Sequence, residues 1–164
     1  MMLKGEMMDA PLMISGILKH ADNCHGDREV VSRLAEDGSV HRYGYSDCHA
    51  RTRQLANALV KKLKIKDSDR VSTIAWNNHR HLELYYGVSG IGAVIHTVNP
   101  RLDPAQIIWI LNHAQSKAVF FDKTFAPLID GIAKHCKTVK NWVLMTDSGH
   151  TGDVQTKCIA YEDL

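Results

Sequence analysis

The stretch VSTIAWNNHRHLELYYGVSGIGAVIHTVNP, residues 71–100, decides the fold. Its only formally charged residues are Arg80 and Glu83, a fall in charge density that marks the chain entering an interior. Val71 to Trp76 and Ala93 to Val98 read as short buried strands. Leu82, Tyr85, Tyr86, Val88 and Ile91 between them suit a helix, so the stretch makes a βαβ unit of parallel strands with a right-handed crossover.

The alternation continues toward the C-terminus. Asp103, Pro104 and Gln106 place an acidic N-cap, a proline at the first helical position and an amide that reaches back to the cap, predicting a helix through Ile107, Leu111 and Ala114 that stops near Gln115. Lys117 to Asp122 is strand-like, and Phe125, Leu128, Ile129, Ile132, Ala133 and Cys136 recur with helical period. Asn141 to Met145 supplies another strand. The polar run 146–153 reads as a loop or connector, and Tyr161 to Leu164 offer no closing element.

Toward the N-terminus, Ser46 is the expected N-cap of a helix running to about Lys64, because Cys48, Thr52, Leu55, Leu59 and Leu63 share one face. Glu29 to Leu34 and Val40 to Tyr45 flank Asp37-Gly38 and read as a β-hairpin. Leu12, Ile14, Ile17 and Leu18 suggest a short amphipathic helix ending near His20. The predicted fold is α/β: a Rossmann-like, mostly parallel sheet flanked by helices, with the N-terminal hairpin at an edge or in a side sheet. The expected organisation is a helical segment over 1–28, an α/β subdomain over 29–146 and a loop or connector over 147–164.

Composition narrows the function classes. At 164 residues with 45% hydrophobic and 23% charged side chains, the chain can bury a core without disulfide or metal staples. A formal charge of +2 is too small to argue for nucleic acid as a partner. Residues 51–70 nevertheless hold seven basic and two acidic side chains. That excess reads as a solvated helix face or as a surface for a phosphate-rich or membrane partner. Cys24, Cys48, Cys136 and Cys158 form no CxxC pair, so reduced thiols in a cytoplasmic protein are expected. Lys4 and Glu6 interrupt any signal-peptide core, and no apolar run approaches the roughly 20 residues of a membrane span.

Catalytic motifs are scarce. The first βα turn, Trp76-Asn77-Asn78-His79, has no glycine, so a dinucleotide fingerprint is missing. Gly87, Gly90 and Gly92 fall at a helix end, where they serve chain reversal and close helix packing. Gly149-His150-Thr151-Gly152 lacks the Lys-Ser or Lys-Thr of a P-loop. His79 and His81, two apart on a helix, point to different faces, which argues against a chelating pair; were Trp76 to His81 extended instead, the two could converge on a metal. Cys24-His25 and Cys48-His49 are not nucleophile–base pairs without a third residue to orient the base. No catalytic or metal-binding residue is assigned. The ligand-facing candidates are Asn77, Asn99 and Arg101, at the carboxyl ends of parallel strands, where open α/β sheets bind ligands. The alternative for the last two is that Asn99-Pro100 turns the chain while Arg101 pairs with an acidic neighbour.

The segments NNHRHLELYYGVSGIGAVIHTVNPRL (77–102) and QIIWILNHAQSKAVFFD (106–122), with EVVSRL (29–34) and DRVSTIAW (69–76), resemble the N-terminal region of AMP-forming medium- and long-chain fatty acyl-CoA synthetases, in the adenylate-forming superfamily. The resemblance covers almost the whole chain, and His96 to Leu102 is its most specific part. It implies a first subdomain of a ligase that adenylates a fatty acid with Mg-ATP, releases pyrophosphate and passes the acyl group to coenzyme A.

In that family the glycine-rich phosphate loop ending in Pro-Lys-Gly, the Tyr-Gly-x-Thr-Glu motif, the ribose-binding Asp and the catalytic Lys come later in the chain. None is present here. The resemblance therefore implies an N-terminal fragment, inactive alone and binding none of ATP, Mg and coenzyme A tightly. Fatty acid and coenzyme A would be bound through other segments, and a homodimer is compatible with the family. The competing classes are a non-catalytic interaction or dimerisation module and a nucleotide-sensing α/β domain.

Overall fold

A computed structural model describes residues 9, 11–152 and 154–164. Lys4, Glu6 and Asp153 lie outside the described residues. The elements run α1 (Ile14–His25), β1 (Glu29–Arg33), β2 (Val40–Gly44), α2 (Tyr45–Lys61), β3 (Arg70–Ile74) and α3 (His79–Gly90). Then follow β4 (Val94–Thr97), α4 (Pro104–His113), β5 (Ala118–Phe121), α5 (Ala126–Ile132), β6 (Asn141–Leu144) and β7 (Ile159–Ala160).

Five strands form one parallel sheet in the order β4-β3-β5-β6-β7. Each central strand buries both faces. Ala118 and Phe120 join Leu55, Leu59, Leu84 and Val88 under α2 and α3, whereas Val119 and Phe121 join Ile107, Leu111, Ile129 and Ile132 under α4 and α5. That two-sided burial is why these strands read as apolar runs without polar alternation. The hairpin β1-β2 forms a separate antiparallel sheet, turning at Asp37-Gly38. Through Tyr43 it packs with Leu18 and Cys48 in a third, smaller core. Helices α2 and α3 approach closely because Gly87 has no side chain: a Cβ there would lie 3.0 Å from Leu55 Cδ2.

The cap expected at Asp103 is present. Its carboxylate accepts from the Ala105 N–H at 2.8 Å, and the Gln106 side chain accepts from the Asp103 N–H at 3.2 Å. The helix ends at His113, close to the expected Gln115, which lies two residues beyond it at a φ of 53°.

Several expectations are corrected. Ser46 does not cap α2; Gly44 does, with the Asp47 carboxylate accepting from its N–H, because the Ser46 hydroxyl is drawn to Asp22 on α1 at 2.6 Å. Helix α1 runs to His25 rather than His20, since Asp22 in its last turns holds both Ser46 and His49. Strand β4 is not a buried strand: the chain order puts it at the sheet edge, and Val94 is 47% exposed. The helix expected over 125–136 is split by 3₁₀ turns at Lys123–Phe125 and Ala133–His135, with Pro127 setting the start of the α-helical part. The chain end does supply an element. Ile159 and Ala160 pair in parallel with Val143 and Leu144, and Tyr161 is buried behind them.

Candidate functional site

The strand order reverses at β3, whose neighbours are β4 on one side and β5 on the other. Such a switch point leaves a crevice outside the carboxyl ends of the strands, because successive connections leave in opposite directions. Here the crevice is an open cleft of about 320 Å³ lined by Trp76, Asn77 and Asn78 after β3, Thr124 after β5, and Arg33 and Leu34 from the hairpin.

One buried carboxylate organises its floor. Asp122, fully buried at the end of β5, accepts from the Trp76 N–H at 2.6 Å and from Asn78 Nδ2 at 3.1 Å. Asn78 is also the N-cap of α3, its Oδ1 accepting from the His81 N–H at 3.0 Å. Burial pushes the Asp122 carboxyl up to about 6, against the lowering effect of the two hydrogen bonds. His81 is fixed at both ring nitrogens, Nδ1 to the Trp76 carbonyl at 3.1 Å and Nε2 to Thr73 Oγ1 at 3.0 Å. Every one of these bonds goes to a neighbouring protein group, so they hold the β3–α3 turn in shape.

Behind this turn sits a buried ionic network. Arg80 donates to Glu36 at the hairpin tip at 2.8 Å, to Glu162 at 2.8 Å and to the Met145 carbonyl at 2.9 Å. Arg51 on α2 donates to Glu83 at 2.7 Å and to Glu162 at 3.0 Å. Glu83, wholly buried, also accepts from the Tyr43 hydroxyl at 3.0 Å and the Tyr161 hydroxyl at 2.6 Å. The two charges that stood out in residues 71–100 thus tie the hairpin, α2, α3 and the chain end together. Ions removed from water require this degree of pairing.

His79, beside Arg80, is 2% exposed and stacks on His41 with ring centroids 4.0 Å apart. Burial, then the His41 ring and the Arg80 and Arg51 cations, push His79 down to about 3, so the His79 ring is neutral near pH 7.

Of the ligand-facing candidates, Asn77 lines the cleft. Asn99 and Arg101 lie in the β4–α4 turn, where Asn99 Oδ1 accepts from the Arg101 N–H at 3.0 Å. The Arg101 side chain is exposed and forms no ion pair among the described residues. The structure therefore does not bring the three candidates into one group. Sequence reasoning missed Asp122, Asn78 and Glu36. The signal for Asp122 was a lone acid directly after the apolar run Ala118–Phe121. His79 and His81 have separate partners, and the paired residues Cys48 and His49 diverge, one into the core and the other toward Asp22 at 2.7 Å.

The donor set does not suit a metal or triphosphate. Among the described residues no three His, Cys, Asp or Glu side chains come together where a metal ion would fit. The β3–α3 turn offers no glycine-rich backbone to a phosphate. What the arrangement provides is a rigid wall at one end of the sheet.

Comparison with known proteins gives this wall a context. The sequence profile described as "AMP-binding enzyme" matches residues 18–161. The chain is 48% identical over 141 residues to 3-methylmercaptopropionyl-CoA ligase of Ruegeria lacuscaerulensis, covering 86% of this chain and 26% of that protein. It is 47% identical over 161 residues to medium-chain-fatty-acid–CoA ligase of Ectopseudomonas oleovorans, covering 98% and 29%. A crystal structure described as a long-chain-fatty-acid CoA ligase from Rhodopseudomonas palustris superposes with a TM-score of 0.74 over 93% of this chain and 36% of that one. At 22% identity, that last likeness speaks to the fold alone. The chain thus spans less than a third of the length of the curated relatives it matches.

Proposed function

This chain belongs to the AMP-binding enzyme family, and from that premise we propose that it is the N-terminal part of a fatty-acid:CoA ligase, which converts ATP, a fatty acid and coenzyme A to acyl-CoA, AMP and pyrophosphate. The observation that carries the reading is the 47% identity to a medium-chain-fatty-acid–CoA ligase across 98% of the chain. The similar identity to a 3-methylmercaptopropionyl-CoA ligase leaves the acid's carboxylate as the common chemistry and its tail as the variable.

In this reading residues 29–146 are the α/β body, and 147–164 lead toward the rest of the enzyme, adding β7 on the way. Asn77 faces the ligand-binding end of the sheet; Asn99 and Arg101 flank it from the β4–α4 turn. The groups that grip triphosphate, magnesium and coenzyme A belong to other segments, so the chain alone is inactive. We place the enzyme in the cytoplasm, in keeping with four free cysteines. No described helix is long and apolar enough to cross a membrane.

The protein from the uninterrupted reading frame, given ATP, magnesium and coenzyme A, is expected to release AMP only when a medium-chain fatty acid or 3-methylmercaptopropionate is added. A reading frame lacking a downstream glycine-rich segment that ends in Pro-Lys-Gly, or AMP release indifferent to the acid, would refute the assignment.

A second reading, an interaction or self-association module, is favoured by one feature. Trp109 is 63% exposed on α4 and lines an apolar groove of about 460 Å³ with Leu102, Ala105 and Ile110. Sedimentation of the chain across concentrations tests it, and a strict monomer at all of them counts against it.

A further inference from the structure

The seven basic residues of the 51–70 run separate into two kinds in the fold. Arg51 spends its charge on Glu83 and Glu162, and Arg70 donates to the Ala114 and Ser68 carbonyls and to Gln115. Lys62 donates to the Asp163 carbonyl. Among the described residues the side chains of Arg53, Lys61, Lys64 and Lys66 do neither, and Lys64 and Lys66 fall together.

They lie in the α2–β3 connection, whose course is set by two non-glycine residues in the left-handed region, Lys64 at φ 58° and Ser68 at φ 61°. The parallel sheet then brings two more lysines to the same end. Lys117 enters β5 and Lys140 enters β6, adjacent strands in which Ala118 pairs with Asn141, and the Lys140 N–H donates to the Lys117 carbonyl at 2.9 Å.

Lys64, Lys66, Lys117 and Lys140 line one cleft of about 250 Å³ with Asp69 and Asn141. Among the described residues none of the four forms an ion pair. The single carboxylate in the cleft, Asp69, accepts from the Lys66 backbone N–H at 2.9 Å. Four lysines therefore line one concavity against one acid. Like charges gathered in this way repel, and an anion between them turns that repulsion into attraction. An ammonium is a compact point charge with three donors and no acceptor, suited to phosphate oxygens.

We propose that this lysine cleft, at the amino end of the parallel sheet, binds a multiply charged phosphate group. It lies at the opposite end of the strands from the switch-point cleft and does not depend on the ligase reading. The same chemistry is offered by a soluble polyphosphate anion and by an anionic phospholipid headgroup, and the test separates them.

Thermal unfolding of the 164-residue chain is followed with inorganic pyrophosphate, and with chloride at matched ionic strength. Pyrophosphate is expected to raise Tm, as any ligand of the native state does. The Lys64→Glu/Lys140→Glu variant, whose fold is checked by circular dichroism, is expected to lose the shift. Lys19→Glu, on α1 and outside the cleft, is expected to keep it. Titration calorimetry should show the affinity fall by about tenfold for each lysine replaced.

In parallel, the chain is sedimented with phosphatidylglycerol and with phosphatidylcholine vesicles. Cleft-dependent binding to the anionic vesicles alone assigns the site to a headgroup, and a cleft-dependent pyrophosphate shift assigns it to a soluble anion. Absence of both effects, or effects of equal size in wild type and the double variant, overturns the proposal.

Discussion

The two ends of the parallel sheet handle charge in opposite ways. At the carboxyl end Asp122, Arg80 and Glu83 are buried and fully engaged with Trp76, Asn78, Glu36, Glu162, Tyr43 and Tyr161. At the amino end Lys64, Lys66, Lys117 and Lys140 stand in a cleft with no ion-pair partner among the described residues. The difference teaches which charges shape the molecule and which remain available to something else. Removing a paired buried charge strands its partner in low dielectric, whereas removing an unpaired exposed one relieves repulsion.

The largest expected effect is at Glu83. Glu83→Ala leaves Arg51 and the hydroxyls of Tyr43 and Tyr161 without their acceptor, and should cost about 3–5 kcal/mol in urea unfolding. A loss below about 1 kcal/mol, the range of an exposed pair, would mean the network is not the hub described. Asp122→Ala is next, at about 1–3 kcal/mol when compared at about pH 4, where the buried carboxyl is protonated, because the Trp76 N–H and the Asn78 amide lose their acceptor in a buried site.

The pH dependence sharpens the same comparison. His79 is held down to about 3 from 6.5, so its contribution is complete above pH 6.5 and is lost as pH falls toward 3, by about 2 kcal/mol at pH 5. Asp122 works in the other direction. Its carboxyl is raised from 3.8 to about 6, so its cost is absent below pH 3.8 and complete above about pH 6, at roughly 3 kcal/mol. Between pH 7 and pH 5 the two oppose each other. Asp122→Asn should therefore lose more stability over that interval than wild type, read from urea midpoints at the two pH values; equal losses would contradict the assignment.

The smallest effect is expected at the amino end. Lys64→Glu and Lys140→Glu should each change stability by no more than about 0.5 kcal/mol.

How much of this was legible in the sequence follows from distance along the chain. The Asp103 cap was readable because Pro104, Ala105 and Gln106 complete it within three residues. The βαβ unit was readable because Val71–Ile74 and the residues around Val88 carry their own burial pattern. The role of Asp122 was not, since its partners lie 44 and 46 residues away. Glu36 meets Arg80 across 44 residues, and nothing at the hairpin tip announces a buried acid. Strand β7 escaped for the same reason: two residues carry no period, and only β6 makes them a strand. Ser46 was a sound local cap that lost to a carboxylate 24 residues away. At the candidate site, the carboxyl ends of β3 and β4 were legible from the βαβ pattern, while the side chains that shape the cleft there are fixed by contacts no local pattern encodes.

The most direct test of the account is acyl-CoA formation by the purified 164-residue chain supplied with ATP, magnesium, coenzyme A and a medium-chain fatty acid. The account predicts no product above a protein-free control, because the proposed reading assigns the groups that grip triphosphate, magnesium and coenzyme A to other segments. Sustained turnover by the chain alone would contradict it.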